Sequence, residues 1–160
     1  MSQQLGRPVR DVVGVAARTL DGTPAVVATA PRLADGTPFP TFYYLTHPTL
    51  VAAISRLEAE GVMRGWTALV EPGGPYAEAF AAAHAAYLAD RAAAGDVPEL
   101  AGVSAGGMPV RVKCLHALAG HALAAGPGVN PIGDLALAEA AAAEAPVRAL
   151  VGRWPAPAPR

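Results

Sequence analysis

The sequence predicts an α+β fold, with a small antiparallel β-meander of about three strands packed by three to four helices. Valine-rich runs separated by Asp-Gly turns occupy the first part of the chain, and the hydrophobic period becomes helical after Pro48. Alanine-rich segments that favour helix form most of the remainder. A chain of 160 residues suits one domain, so we expect residues 1–153 to form it and residues 154–160 to be a flexible Pro-rich tail.

Three strands are predicted before Pro48. Segments 10–20 and 23–31 are rich in valine, and the Asp-Gly pair between them supplies a turn. A second Asp-Gly turn leads into an aromatic strand over residues 41–46. Because short strands joined by tight turns pair with their neighbours in sequence, an antiparallel meander is the simplest assembly.

Helical spacing after Pro48 predicts four helices, at about residues 48–61, 75–95, 111–126 and 135–146. Gly61, Gly95 and Gly126 are natural ends for the first three. His84, within the second, is expected at the edge of the core. The charged side chains of the first helix and its end are expected on a solvated face: Arg56, Glu58, Glu60 and Arg64.

Composition excludes several classes of function. The net charge is −1, with both signs spread along the chain, which argues against a nucleic-acid-binding protein and against polybasic membrane attachment. No apolar run is long enough for membrane insertion, and the first residues lack the apolar core of a signal peptide. One cysteine excludes an internal disulfide and fits a reducing compartment, so we expect a cytoplasmic protein.

The segment "RVKCLHALAGH", residues 111–121, concentrates the rarest reactive side chains of the chain. It holds the only lysine, Lys113, the only cysteine, Cys114, and two of the four histidines. Arginine outnumbers lysine eleven to one, so Lys113 stands out as a position that retains a compact ammonium group. This segment is therefore the first place to look for a site.

An anion site is one interpretation of this segment. A glycine-rich loop, residues 102–107, precedes a predicted helix whose first turn would carry Arg111 and Lys113. Free N–H groups at a helix N-terminus, together with nearby cations, favour an anion. The candidate residues are Gly106, Gly107, Arg111 and Lys113. No known phosphate-loop or dinucleotide pattern is present, so the alternative is a flexible linker with surface cations.

A metal or thiol site is a second interpretation. In a continuous helix Cys114 and His121 would share a face at a separation of roughly 10 Å, and His116 would point away, so local metal-ligand spacing is poor. A metal would need ligands from elsewhere, with His47 and Asp21 as candidates. Alternatively, Cys114 lies in a first helical turn that stabilises a thiolate and pairs with a histidine, or it is simply a buried apolar side chain.

Four segments together resemble the domain-of-unknown-function family 501 (DUF501), small proteins typical of high-GC Gram-positive bacteria. The segments are "QLGRPVRDVVGVAAR", "VVATAPRLADGTPFPTFYYLTHP", "SRLEAEGVM" and "AGVSAGGMPVRVKCLHALAGHALAAGPGVNPIGD", in that order. The most specific motifs are "PRLADGTPFPT" and "VKCLHAL…HALAAG…NPIG". The resemblance covers about residues 4–134.

The resemblance implies a metal site but no established activity. Similar proteins often carry a Cys-x-Cys-Gly at the first turn and a cysteine before the proline of "LTHP", and these positions are Thr19, Asp21 and His47 here. With Cys114 those cysteines would form a four-thiolate cage, whereas this chain lacks the thiolates for an iron–sulfur cluster. A mixed zinc site of Asp21, His47 and Cys114, with His116 or His121, is chemically reasonable in its place, and the equal alternative is that this chain has lost the metal.

Three functional hypotheses follow. The first is a metal- or ligand-binding accessory protein with a site around Cys114, linked to septum formation because the family's genes lie near those of a septum-formation initiator. The second is an enzyme acting on a phosphorylated small molecule, held by the loop at 102–107 with Arg111 and Lys113. The third is a division-associated interaction protein without chemistry. No complete catalytic constellation is evident, so whether the chain is an enzyme stays open.

Overall fold

The sheet has the predicted meander topology. A computed structural model describes residues 11–159, with strands β1 (Val12–Arg18), β2 (Pro24–Thr29) and β3 (Tyr43–Leu45). The strand order is β1-β2-β3 and both pairings are antiparallel. Asp-Gly at the β1–β2 connection provides the tight turn, with Gly22 at a positive φ of 85°. The α+β fold class is confirmed.

Six α-helices follow the sheet in the described part of the chain, rather than three to four. Their bounds are α1 Pro48–Ala59, α2 Val62–Val70, α3 Ala77–Ala94, α4 Leu115–Ala125, α5 Pro131–Ala143 and α6 Ala145–Val151. Gly61 ends α1 in the left-handed region, but it also precedes α2, which the sequence prediction missed. Pro146 does not simply end a helix, because it lies in the first turn of α6, where its missing N–H costs nothing.

Helix α4 is the centre of the core. Leu115, Leu118, Ala119 and Ala122 are fully buried between the sheet and α5. Small residues permit this packing, since a Cβ on Gly133 of α5 would lie 2.1 Å from the Leu118 carbonyl oxygen. His116, in the first turn of α4, is only half-buried, and the candidate site is found at this end of the helix.

Helix α4 begins later than predicted. Its first residue is Leu115 and its N-cap is Cys114, in extended conformation. The preceding residues are held by tertiary contacts, because Lys113 N–H donates to the Gly106 carbonyl at 2.8 Å and Val112 N–H donates to Thr67 Oγ1 at 3.1 Å. The prediction that Arg111 and Lys113 lie in the first turn of the helix is therefore wrong.

The residues after α6 contact the rest of the fold. Trp154 Nε1 donates to Asp134 Oδ1 at 2.8 Å, and Tyr76 donates to the Pro157 carbonyl at 3.1 Å. The division into residues 1–153 and a tail at 154–160 stays a prediction. Within the described residues no helix has the length and apolarity needed to cross a membrane.

Candidate functional site

A cavity of about 860 Å³ lies between β3, residues 102–108 and the start of α4. Tyr43, Tyr44 and Leu45 of β3 line one side of it. Residues 102–108 line another, and Cys114 and His116 also face the cavity. Mostly apolar walls with a few convergent polar groups are typical of small-molecule sites.

Three potential metal ligands converge beside this cavity: Glu58, Cys114 and His116. One ligand atom from each lies within 4.8 Å of the other two, and this is the only such group of three within residues 11–159. Glu58 comes from the last turn of α1, whereas Cys114 and His116 flank the start of α4. The prediction that His116 points away from Cys114 is wrong, because Cys114 is extended and the helical rotation of 100° per residue does not apply to it.

Glu58 connects α1 to α4 through hydrogen bonds. Its Oε1 accepts from the Leu115 N–H at 2.7 Å and lies 3.1 Å from His116 Nδ1. On the other side of the ring, His116 Nε2 lies 3.3 Å from the Val51 carbonyl oxygen and 3.1 Å from Ser55 Oγ. Because a carboxylate and a carbonyl only accept hydrogen bonds, both ring nitrogens carry protons in this arrangement.

The pKa values agree with an ion pair between Cys114 and His116. The neighbouring Cys114 raises the pKa of His116 to about 9, and the charge of Glu58 adds to this effect against partial burial. His116 in turn lowers the pKa of Cys114, although burial opposes the shift. At neutral pH the His116 ring is therefore protonated, and the Cys114 thiol beside it ionises more readily than a free thiol.

Asp21 and His47 lie apart from this group. Asp21 accepts a short hydrogen bond from Thr19 Oγ1 and another from the Thr23 N–H at 3.0 Å, which lower its pKa to about 2. His47 precedes α1 as its N-cap, and its buried Nδ1 has no hydrogen-bond partner in the described chain. The two are near enough to interact electrostatically, but they do not join Cys114.

His121 is also separate from the group, because it belongs to the core. It is fully buried, with its ring stacked on Tyr43 at 5.7 Å between centroids and edge-on to Tyr87 at 5.1 Å. Burial lowers its pKa to about 4, so the ring is neutral. The structure thus does not assemble the five predicted ligands: Cys114 and His116 meet Glu58 instead of Asp21, His47 and His121.

The four predicted anion-binding residues all line the same cavity as Cys114. Gly106 and Gly107 have positive φ values of 67° and 93°. A Cβ on Gly107 would lie 2.5 Å from the Arg111 carbonyl oxygen, so only glycine fits there. Arg111 and Lys113 are exposed at the rim, and their position follows from this loop rather than from a helix N-terminus.

Sequence reasoning missed Glu58, Ser104 and His84. Glu58 was expected on a solvated face, yet it lies seven residues after the part-buried Val51, and such a spacing places both on one helical face. Ser104 lines the cavity and lies 2.8 Å from His84 Nδ1 through its Oγ. Its partner His84 lies 20 residues away on α3, so no local sequence pattern predicts this pair.

Comparison with known proteins yields a family and no function. A family model described as "Protein of unknown function (DUF501)" matches residues 15–138. No curated protein and no solved structure matches the chain significantly. The match covers most of the sheet and the whole candidate site, including Glu58 and the segment from Ser104 to His116.

Proposed function

Because the chain belongs to the DUF501 family of proteins of unknown function, we propose its function from the site alone: it binds one zinc ion through Glu58, Cys114 and His116. A remaining coordination position faces the cavity and is open to a small molecule. The observation that carries this proposal is the convergence of the three ligand atoms within 4.8 Å. Catalytic zinc sites have three protein ligands and one position open to water or substrate.

The chemistry of the donors supports zinc. Thiolate sulfur, imidazole nitrogen and carboxylate oxygen are its usual protein ligands, and a single thiolate excludes an iron–sulfur cluster. The 3.1 Å between Glu58 Oε1 and His116 Nδ1 suits two ligands of one ion. An ion there would replace the proton on Nδ1, and when bound it would supply Lewis-acid chemistry at the cavity.

Contacts outside the group would orient the ligands. The Val51 carbonyl holds the Nε2 side of His116, which leaves Nδ1 for the ion. The Leu115 N–H fixes the Glu58 carboxylate. We include a cytoplasmic location in the proposal because the one cysteine has no disulfide partner. A role in septum formation is also included, and it rests on the family resemblance alone.

Metal analysis of the purified full chain tests the proposal. We expect about one zinc per chain in the wild type, and its loss in Cys114→Ser. Asp21→Asn and His47→Ala are matched controls that should retain zinc, since neither residue belongs to the group. A cobalt-substituted protein should show a thiolate-to-metal absorption band that Cys114→Ser abolishes. Zinc-free wild type after growth with zinc, or loss in the controls as complete as in Cys114→Ser, would contradict the proposal.

A second candidate is a thiol nucleophile, and the protonated His116 beside Cys114 favours it specifically. In this case Cys114 attacks an electrophilic ligand in the cavity and His116 donates its proton to the leaving group. The two candidates separate in one comparison. Absence of zinc with rapid alkylation of Cys114 at neutral pH supports the nucleophile, whereas zinc that protects Cys114 from alkylation supports the metal site.

A further inference from the structure

We propose that the segment 104–107 binds the phosphate group of a phosphorylated small molecule that occupies the cavity. The inference deepens the proposed function by naming the ligand class, and it requires the cavity but not the metal. Four observations support it: unpaired backbone donors, a buried hydroxyl group, adjacent cations and the absence of carboxylates from the lining.

Four consecutive backbone N–H groups in this loop have no acceptor within residues 11–159. The N–H of Val103 donates to the Leu100 carbonyl at 3.0 Å and that of Met108 donates to Ala105 at 3.2 Å, but those of Ser104, Ala105, Gly106 and Gly107 do not donate. These four residues are buried or half-buried and line the cavity. Since backbone donors of this kind require a partner, water or a ligand must supply the acceptor.

The conformation of the loop suits an anion. Gly106 and Gly107 both have a positive φ and belong to a run of turn residues, and successive N–H groups in a turn form concave anion-binding nests. Gly106 packs tightly against α4, since a Cβ there would lie 2.6 Å from the Leu118 side chain. The loop is therefore held in place before a ligand arrives.

Ser104 adds a hydroxyl group to these donors. Its side chain is 6% exposed, and its Oγ lies 2.8 Å from His84 Nδ1 and 3.4 Å from the Met108 carbonyl oxygen. A neutral His84 with its proton on Nδ1 donates to Oγ, and the hydroxyl proton, which is donated to the Met108 carbonyl at 3.4 Å, would turn to a bound phosphate. Burial, with a contribution from Arg91, lowers the pKa of His84 and favours this neutral form. His84 is then a positioning residue for Ser104.

Two cationic residues flank the loop, and both line the cavity. Lys113 N–H donates to the Gly106 carbonyl at 2.8 Å and Arg111 N–H donates to Gly107 at 3.1 Å, so each cationic residue is tied directly to a glycine of the loop. Among the described residues no Asp or Glu lines the cavity. Four N–H groups, one hydroxyl and two cations match the three oxygens and double charge of a phosphate ester better than the two oxygens of a carboxylate.

The remainder of the ligand would extend toward Cys114. The Cys114 N–H contacts the Gly106 carbonyl at 3.4 Å, so the loop and the metal-ligand group are adjacent. A cavity of about 860 Å³ has room for much more than inorganic phosphate. Because Tyr43, Tyr44 and Leu45 line one side, we expect an apolar or aromatic part in the ligand.

Calorimetric titration of the full chain with phenyl phosphate, inorganic phosphate and benzoate tests the inference. Phenyl phosphate should bind tightest, and benzoate at least about tenfold more weakly than phenyl phosphate. Lys113→Ala and Ser104→Ala should each weaken phenyl phosphate binding by about three- to tenfold. Arg64→Ala, which removes an exposed arginine elsewhere, is the matched control and should leave binding unchanged. His84→Asn keeps a donor and should bind more tightly than His84→Phe, with equal thermal stability required of both.

Three outcomes would overturn the inference: no saturable binding at about 10 mM phenyl phosphate, benzoate binding as tightly as phenyl phosphate, or an Arg64→Ala effect equal to that of Lys113→Ala. Cys114→Ser separates this inference from the metal proposal. Phosphate binding that persists in Cys114→Ser supports the loop site whether or not the wild type holds zinc. Phosphate binding lost together with zinc in that variant would assign the anion to the metal and overturn the loop site.

Discussion

Cys114 and His116 show how a single backbone conformation changes the chemistry of two residues. In a continuous helix they would diverge, but the extended conformation of Cys114 brings its sulfur to the ring two residues later. Their rarity in the sequence was enough to single them out. Glu58 was missed because its role depends on a partner 57 residues away in the chain, Leu115, and a single sequence contains no record of that contact.

The reactivity of Cys114 gives the first prediction. In zinc-depleted protein its pKa is lowered by His116, so the thiolate persists below the usual range of a thiol and alkylation should be fast at a correspondingly lower pH. His116→Gln should shift the pH profile of the iodoacetamide reaction upward, and Ser55→Ala should change it little. A wild-type profile identical to that of free cysteine would refute this prediction.

His121 is a core histidine whose pKa shifts in the direction opposite to that of His116, and it gives a prediction for stability. Its folded pKa of about 4 lies below the ordinary value of 6.5, so the folded state favours the neutral ring. The resulting stability is present above pH 6.5 and is lost as the pH falls toward 4, by up to about 3 kcal/mol. Urea unfolding at several pH values measures this loss. His121→Phe should reduce it, and an unchanged slope between pH 6.5 and 4 in that variant would assign it elsewhere.

At the level of elements, local sequence patterns predicted the strands correctly, whereas contacts between distant residues could not be predicted from the sequence. The meander was predictable because valine-rich runs and Asp-Gly turns act within a few residues. The start of α4 was not, since residues 111–114 are kept out of the helix by bonds to Gly106, Gly107 and Thr67. The four residues predicted to bind an anion line one cavity, but the helix N-terminus that the prediction invoked is not what places them there.

The packing of α4 against α5 gives a prediction for a pair of glycines. Gly133→Ala places a Cβ 2.1 Å from the Leu118 carbonyl oxygen and should lower the free energy of unfolding by about 3 kcal/mol. Gly65→Ala, in α2 with open space around it, should instead raise it by about 0.5–1 kcal/mol. Chemical denaturation of both variants measures the contrast. Similar effects in the two would show that α5 can move away from α4.

Across the whole molecule, the final residues are tied to the core through a buried carboxylate. Asp134 is 1% exposed and accepts from the Gly128 N–H at 2.9 Å as well as from Trp154. Burial raises the pKa of Asp134 in spite of these bonds. Since the two donors bind different oxygens, the loss of either one leaves one buried carboxylate oxygen without a donor. The sequence identified the Pro-rich composition after residue 153 but contained no sign of this contact.

Trp154→Phe tests that connection. It keeps an aromatic ring and removes the N–H that Asp134 accepts, so we expect a loss of about 1–3 kcal/mol in the free energy of unfolding. Trp66→Phe is the matched control, because no hydrogen bond of the Trp66 side chain is found among the described residues, and it should change stability less. Equal losses in thermal or urea unfolding would indicate that only ring volume matters.

The two contacts of Glu58 link the stability of α4 to the state of the candidate site. One carboxylate oxygen both closes the first turn of α4 and contacts His116. A ligand that neutralises, binds or displaces this oxygen should therefore change the stability of α4, the most deeply packed helix. Melting temperatures measured with a panel of divalent cations and phosphorylated compounds would therefore report binding at this site. The ligand of the protein could be identified in this way without an activity assay.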